Sequence, residues 1–377
     1  MHPFICSSFS NNYIVANRFR HTGAIIDTSI RNELIRLSDL EIAQLPNPIL
    51  SLFTKLGLEK VDTRRVKDVL IIRSPSVFQF RRASYEITER CNYHCSHCYL
   101  GNKSTQALQS EEKKDVLRLI ELSGCLWLQL TGGEPLVVKD FQEIYSFAYS
   151  LGFLITLSTN GSLISEPDVI ETLSRLPPFR ITISLYGATA AIYEGMTSSP
   201  GSFSKLLTGL QLIKEKRINA RINIILTTHN AHERNEMINL ARKLGFEYHV
   251  FSRFSPTLDG NAQPLSLMAD NCSMNQKQPA AISTSHSGCF AGKTFFHVNA
   301  QGQASICKVA RVPWVDLLNE GLSGLEKLPV IASKLLEKTA ACNACAKNIS
   351  CPTCAPRLKL YQLSGIVPPF ICQKTDH

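Results

Sequence analysis

The run Tyr85-Glu86-Ile87-Thr88-Glu89-Arg90-Cys91-Asn92-Tyr93-His94-Cys95-Ser96-His97-Cys98 decides how this chain is read. Tyr85 to Thr88 alternate as a short strand does, and the loop that follows delivers three cysteines spaced by three and then two residues. Three thiolates on one short loop can wrap a face of a cubane iron-sulfur cluster and leave its fourth iron without a protein ligand. That open corner suits a chelating molecule. With 13 cysteines in 377 residues, such a spacing arises by chance roughly 0.015 times per chain. A closed zinc site is the competing reading, since zinc takes four ligands and His94 or His97 stands ready in the same loop.

Outward from this loop, strand and helix patterns alternate six times between 83 and about 253. Strands are expected at 85–88, 126–131, 154–157, 180–185, 221–227 and 247–252. Helical patterns lie near 110–123, 139–151, 165–175, 202–216 and 231–244. Such alternation predicts parallel strands with helical crossovers, a wholly or partly closed α/β barrel. In parallel α/β folds the chemistry gathers at the C-terminal strand ends. Each notable motif falls there: the cysteine loop after the first strand, Thr131-Gly132-Gly133-Glu134-Pro135 after the second, Ser158-Thr159-Asn160-Gly161 after the third and Ser184-Leu185-Tyr186-Gly187 after the fourth. Gly132 and Gly133, lacking Cβ atoms, let backbone come close to a ligand.

This combination resembles the radical S-adenosylmethionine (SAM) enzymes. The resemblance implies a partial (β/α)6 TIM-like barrel and a [4Fe-4S] cluster on Cys91, Cys95 and Cys98, the catalytic thiolates. The amino and carboxylate groups of SAM would chelate the free iron, and its reductive cleavage to a 5'-deoxyadenosyl radical would abstract a hydrogen atom from substrate. By the same resemblance Gly132, Gly133, Glu134, Asn160 and Ser184 contact SAM, and His97 lies beside the adenine. Some members carry an arginine on the SAM carboxylate about a dozen residues past the serine; here that position is Met196, which leaves the contact unassigned, with Asn223 on the fifth strand as the candidate substitute.

Beyond 285 seven more cysteines recur: Cys289, Cys307, Cys342, Cys345, Cys351, Cys354 and Cys372, with a turn at Asn299-Ala300-Gln301-Gly302-Gln303 before the second. A four-cysteine zinc ribbon on 342–354 is the alternative here, but its knuckles lie only five residues apart and three cysteines are left over. The pattern resembles the SPASM extension of radical SAM enzymes, which implies two auxiliary [4Fe-4S] clusters. Carried over, Cys342, Cys345, Cys351 and Cys372 hold the distal cluster, while Cys289, Cys307 and Cys354 hold the proximal one, with Cys272 or an open iron completing it. Cys6 and Cys125 read as buried apolar thiols.

The expected domains are therefore a prelude over 1–80, a barrel over 81–255 and a cysteine-rich extension over 256–377. In the prelude, Ala24-Ile25-Ile26-Asp27 and Val69–Arg73 are expected strands, and Ser38-Asp39-Leu40-Glu41 matches a capping box before the apolar stripe Leu50, Leu52, Phe53 and Leu56. The prelude resembles leader-peptide-recognition modules, with a plain packing extension as the alternative.

Composition agrees with a packed soluble protein, with 44% apolar and 19% charged residues. No apolar run reaches the length of a membrane span, and the N-terminus lacks the basic start and apolar core of a signal peptide. The cytoplasm is expected, where clustered Cys-x-x-Cys pairs read as metal ligands. Cluster thiolates would cancel part of the formal +9 charge. No Lys/Arg block with interleaved aromatics marks a nucleic-acid partner.

The resemblance implies an oxidoreductase that matures a ribosomally made precursor peptide (a RiPP maturase), with flavodoxin or ferredoxin as electron donor. Two rivals remain. One is an anaerobic sulfatase-maturing, formylglycine-generating enzyme; those carry an aspartate directly after the second auxiliary cysteine, where this chain has Lys308, and a charged lysine is a poor proton acceptor. The other is a non-catalytic iron-sulfur or zinc-binding interaction protein.

Overall fold

A computed structural model describes residues 2–61, 63–268, 289–337 and 354–366. Among them the strands form two sheets. In the first, β1 (Phe4–Phe9), β2 (Asn12–Asn17) and β3 (Thr22–Ile26) run antiparallel, and β4 (Leu70–Ile72) joins β1 in parallel. Helices α1 (Thr28–Arg36), α2 (Asn47–Lys55) and α3 (Val66–Val69) cover it, burying Phe4, Leu34, Phe53 and Val66 in a core of their own. The expected capping box at Ser38 starts no helix. Residues 38–42 instead run beside 64–67, Lys67 donating to the Ser38 carbonyl and Val66 to that of Leu40. α1 is capped by Asp27, whose side chain accepts from Ile30 N–H, and α2 starts after Pro46 with Pro48 in its first turn.

The second sheet holds the six expected strands: β5 (Arg82–Glu86), β6 (Trp127–Thr131), β7 (Leu154–Thr159), β8 (Arg180–Leu185), β9 (Ala220–Ile225) and β10 (Glu247–Phe251), parallel and in sequence order. Their crossovers are α4 (Ser110–Leu122), α5 (Phe141–Ser150), α6 (Pro167–Arg175), α7 (Ala190–Thr197), α8 (Ser202–Glu215) and α9 (Arg234–Leu244). Strand periodicity splits the side chains. Leu128, Leu130, Ile155, Leu157, Ile181, Ile183, Ile222 and Ile224 pack in one core with Ile120, Ile144, Leu210 and Met237 of the helices. The alternate positions are polar, from Ser84 and Glu86 through Gln129, Ser158, Thr182, Ser184 and Asn223. A parallel sheet with one polar face has somewhere to put a ligand.

Two features depart from the sequence reading. Helix α7 lies between the expected fourth strand and α8, capped by Thr189. The segment after 289 is also not a detached appendage. Its strand β11 (Phe295–Val298) pairs in parallel with β5, His297 facing Ser84, and β12 (Gln303–Ser305) and β13 (Val315–Asp316) extend the same sheet. The expected turn at 299–303 joins β11 to β12, with Gly302 at φ 79°. The short α10 (Gln263–Ser266) precedes β11, and α11 (Leu317–Leu325), α12 (Leu328–Leu335) and a helix at Ala355–Leu363 follow β13. No helix among the described residues is long and apolar enough to cross a membrane.

Candidate active site at the strand ends

The cysteine loop leaves β5 and is fastened on three sides. On the β6 side, Gly133 N–H donates to Thr88 O (2.9 Å) and Glu134 N–H to Arg90 O (2.8 Å). A Cβ on Gly132 would stand 2.4 Å from Thr88 O, and one on Gly133 2.3 Å from Glu89 O. What the missing Cβ atoms admit here is the start of the cysteine loop itself, a use of glycine the sequence reading assigned to ligand approach.

Glu134 is wholly buried and its carboxylate is taken up by protein donors: Leu136 N–H (3.1 Å), Thr159 Oγ1 (2.7 Å) and Asn160 N–H (2.6 Å). It joins β6 to β7, so its expected place among SAM contacts becomes a positioning one. Burial pushes its carboxyl up to about 7, against those hydrogen bonds. Asn160 continues the link. Its amide donates to Asn92 Oδ1 (2.8 Å), reaches Cys91 Sγ at 4.0 Å, and accepts from Ser162. Both hydrogen-bonding ends of Asn160 are thus spent on the loop and its own turn.

On the far side α7 buttresses the loop. His94 N–H donates to Thr197 O (3.0 Å), and buried Tyr93 packs edge-on against Tyr193, ring centroids 6.3 Å apart. Nothing in the sequence reading pointed to α7 or to this tyrosine pair. Met196 is buried in the core, its sulfur accepting from Thr227 Oγ1 at 3.5 Å, and a thioether offers neither the charge nor the donors of an arginine.

The thiols of Cys91, Cys95 and Cys98 are half-buried and within electrostatic reach of one another. Burial, then the neighbouring sulfurs, push Cys95 up to about 12, and burial raises Cys91. Cys91 Sγ already accepts the Tyr93 N–H at 3.4 Å. His97 sits between Tyr186 (ring centroids 5.0 Å) and Phe254 (5.8 Å), and its buried Nδ1 has no partner. Ser184 and Asn223 face each other across β8 and β9, and Asn223 Oδ1 is likewise buried and unpartnered. Three thiols on one loop, an orphaned imidazole nitrogen in an aromatic slot and an orphaned amide oxygen fit a sulfur-ligated cluster with a polar organic ligand. Among the described residues no three His, Cys, Asp or Glu groups converge on a single-ion site; a cubane spreads its thiolates over separate irons.

Two strands along from β5, just past β12, Cys307 is half-buried, accepts Ala310 N–H at 3.3 Å, and lies within electrostatic reach of Cys354 and of exposed Cys289. Cys6 and Cys125 are buried. Cys272, Cys342, Cys345, Cys351 and Cys372 lie outside the described residues.

The radical SAM superfamily profile matches residues 85–241, the stretch that runs from the first parallel strand to α9. These residues are a radical SAM domain. Such a domain implies a [4Fe-4S] cluster and SAM. Similar curated proteins include an AdoMet-dependent heme synthase of Methanosarcina barkeri, 31% identical over 175 residues, covering 45% of this chain and 50% of that protein. Mycofactocin maturase MftC of Mycobacterium tuberculosis is 27% identical over 238 residues, 61% of this chain and 60% of that protein. The chain thus spans about half the length of the first of these relatives. In solved structures the fold is that of Streptococcus suis SuiB in its SAM-bound form, with a TM-score of 0.63 at 14% identity over 99% of both chains. The SAM-bound anSMEcpe follows at TM-score 0.53 and 14% identity over 76% of this chain and 92% of that one.

Proposed function

We propose that the chain is a radical SAM enzyme of the SPASM type that modifies a precursor peptide. The observation that carries this is the convergence of Cys91, Cys95 and Cys98 with the orphaned His97 Nδ1 at the ends of parallel strands. Cys91, Cys95 and Cys98 would hold a [4Fe-4S] cluster which, with SAM bound, would supply one-electron cleavage of SAM and hydrogen-atom abstraction. The chain's own residues position and shield. Gly132, Gly133, Glu134 and Asn160 fix the loop, His97 with Tyr186 and Phe254 form the slot for a flat ring, and Ser184 and Asn223 offer a hydroxyl and a carbonyl to polar ends of the ligand.

Peptide is the preferred substrate because the maturase match reaches 61% of the chain, whereas the heme synthase match is confined to 45% and speaks to SAM handling rather than to substrate. SuiB, whose fold runs the length of this chain, has been captured with its precursor peptide SuiA. In this reading residues 1–80 receive a leader segment, residues 81–255 form the partial barrel, and residues 256–377 hold auxiliary clusters, Cys289, Cys307 and Cys354 on one of them. A cytoplasmic flavodoxin or ferredoxin delivers the electrons. Lys308 in place of a carboxylate weighs against formylglycine formation. Co-expression with the peptide of a neighbouring small open reading frame, followed by mass spectrometry, tests the reading: a mass change dependent on Cys91, Cys95 and Cys98 is expected, and an unmodified peptide refutes the substrate class.

A further inference from the structure

Glu86, the last residue of β5, is wholly buried in a polar cluster that the proposed chemistry leaves unused. Its Oε1 accepts from Tyr99 Oη (2.6 Å) and from Arg311 (2.7 Å). Its Oε2 faces His297 Nε2 at 3.6 Å, and His297 Nδ1 lies 2.7 Å from Ser84 Oγ. The Lys308 ammonium sits 5.6 Å from the centre of the Tyr99 ring. Burial alone would raise the Glu86 carboxyl; His297 and Arg311 outweigh it and hold it well below the usual range. Burial lowers the His297 imidazole, and the Arg311 guanidinium is the cation hydrogen-bonded to the carboxylate. Ser84, His297 and Glu86 follow the donor order of a hydrolytic triad. Yet Ser84 and His297 are buried and Glu86 gives its short bonds to Tyr99 and Arg311, which makes the group a strut and not a nucleophile.

The strut's ends are what matter. Tyr99 follows Cys98 directly, and Arg311 Nε donates to the carbonyl of Lys308 (3.1 Å), which follows Cys307 directly. Three hydrogen bonds and two peptide links therefore connect a thiol of the first cysteine loop to a thiol of the second, through one carboxylate. β11 anchors the middle, since His297 pairs with Ser84 on the strand that carries Glu86. We infer that Glu86 is a positioning residue that locks the Cys91–Cys98 loop to the Cys307 loop, so that the placement of each thiol set depends on the other. A buried carboxylate with this role is hard to replace. Tyr99 and Arg311 both bond Oε1, which glutamine keeps, so what glutamine removes is the charge that draws the partly buried Arg311 guanidinium to this point. The inference concerns side chains only and stands whichever metal the thiols hold.

The test is anaerobic alkylation of the purified, metal-loaded chain with iodoacetamide, each thiol followed by peptide mapping. In Glu86→Gln, Cys98 and Cys307 are expected to label at least tenfold faster than in the wild type. Cys6 and Cys125, buried elsewhere, should keep their rates and so report global unfolding. Arg311→Gln should give the same pattern, and the double variant no more than either single one, because both cut one path. Unchanged rates, acceleration at only one of the two loops, or equal acceleration at all four thiols overturns the inference. Should Glu86→Gln fail to fold, Arg311→Gln carries the same test, since it leaves Glu86 its Tyr99 contact.

Discussion

Replacing Gly133 by alanine tests why the glycine pair is there. The new methyl would stand 2.3 Å from Glu89 O and 2.4 Å from Arg90 O, both backbone atoms with no rotamer to change. To reach the 3.0 Å that Cβ contacts require, the strand end and the loop must part by at least 0.7 Å. The separation stretches the Gly133–Thr88 and Glu134–Arg90 hydrogen bonds, now 2.9 and 2.8 Å, beyond useful length. Overpacking together with two weakened buried backbone bonds costs roughly 2–4 kcal/mol, which in a chain of this length lowers the melting temperature by roughly 3–5 °C. Cys91 follows Arg90, so its sulfur moves too and iron uptake on reconstitution should fall with stability. Gly195→Ala in α7 is the control: its Cβ meets nothing within 4 Å, and alanine should be neutral or stabilise by about 0.5–1 kcal/mol. Differential scanning calorimetry with iron analysis reads both. Gly133→Ala within 0.5 kcal/mol of wild type would refute the account of the close approach.

Three further outcomes follow from the site. Glu134 titrates from its ordinary 4.5 to about 7 on folding; its folded state favours the proton, so the stability it brings is complete below the ordinary value and is lost as pH rises through about 7. Chemical denaturation between pH 4.5 and 7 should show a loss of up to about 3 kcal/mol that is flattened in Glu134→Gln, a variant also less stable by about 1–3 kcal/mol because its amide faces an N–H donor. Raised thiol values at Cys91 and Cys95 mean that metal must displace protons, so iron loading followed by absorbance should tighten as pH rises from 7 to 8.5. Tyr193→Phe removes a hydroxyl whose contacts are long, 3.4 and 3.5 Å, and should change stability by less than about 0.5 kcal/mol, whereas Tyr193→Ala should cost about 3–5 kcal/mol by opening the packing around Tyr93, read by the same calorimetry.

The six parallel strands were legible because apolar and polar residues alternate at period two and strong helical repeats separate them. β11 was not, since its four residues follow a sequence stretch with no strong helical repeat to mark them; β1 escaped because Ser7 and Ser8 interrupt its apolar pattern, and β2 because its apolar run, Tyr13 to Ala16, is short and flanked by asparagines. Helix α7 holds Gly195, a poor helix residue, and its role shows only in the contacts of Tyr193 and Thr197. The cysteine, glycine and strand-end motifs marked the site, but not which side chains would be spent on one another: Glu134 meets Asn160 across 26 residues, and Glu86 meets Arg311 across 225. Glu86 did leave a trace, a charge at an inward position of a buried strand. Its meaning waited on a partner that local pattern does not reveal.

The central claim is that three thiolates hold a cluster with one iron open to SAM. Anaerobic reconstitution, metal analysis and assay of 5'-deoxyadenosine after reduction with SAM test it in one experiment. The account predicts iron in the chain, and nucleoside release that vanishes when Cys91, Cys95 and Cys98 are changed together to alanine. Bound zinc without iron, or undiminished release from the triple variant, would contradict it.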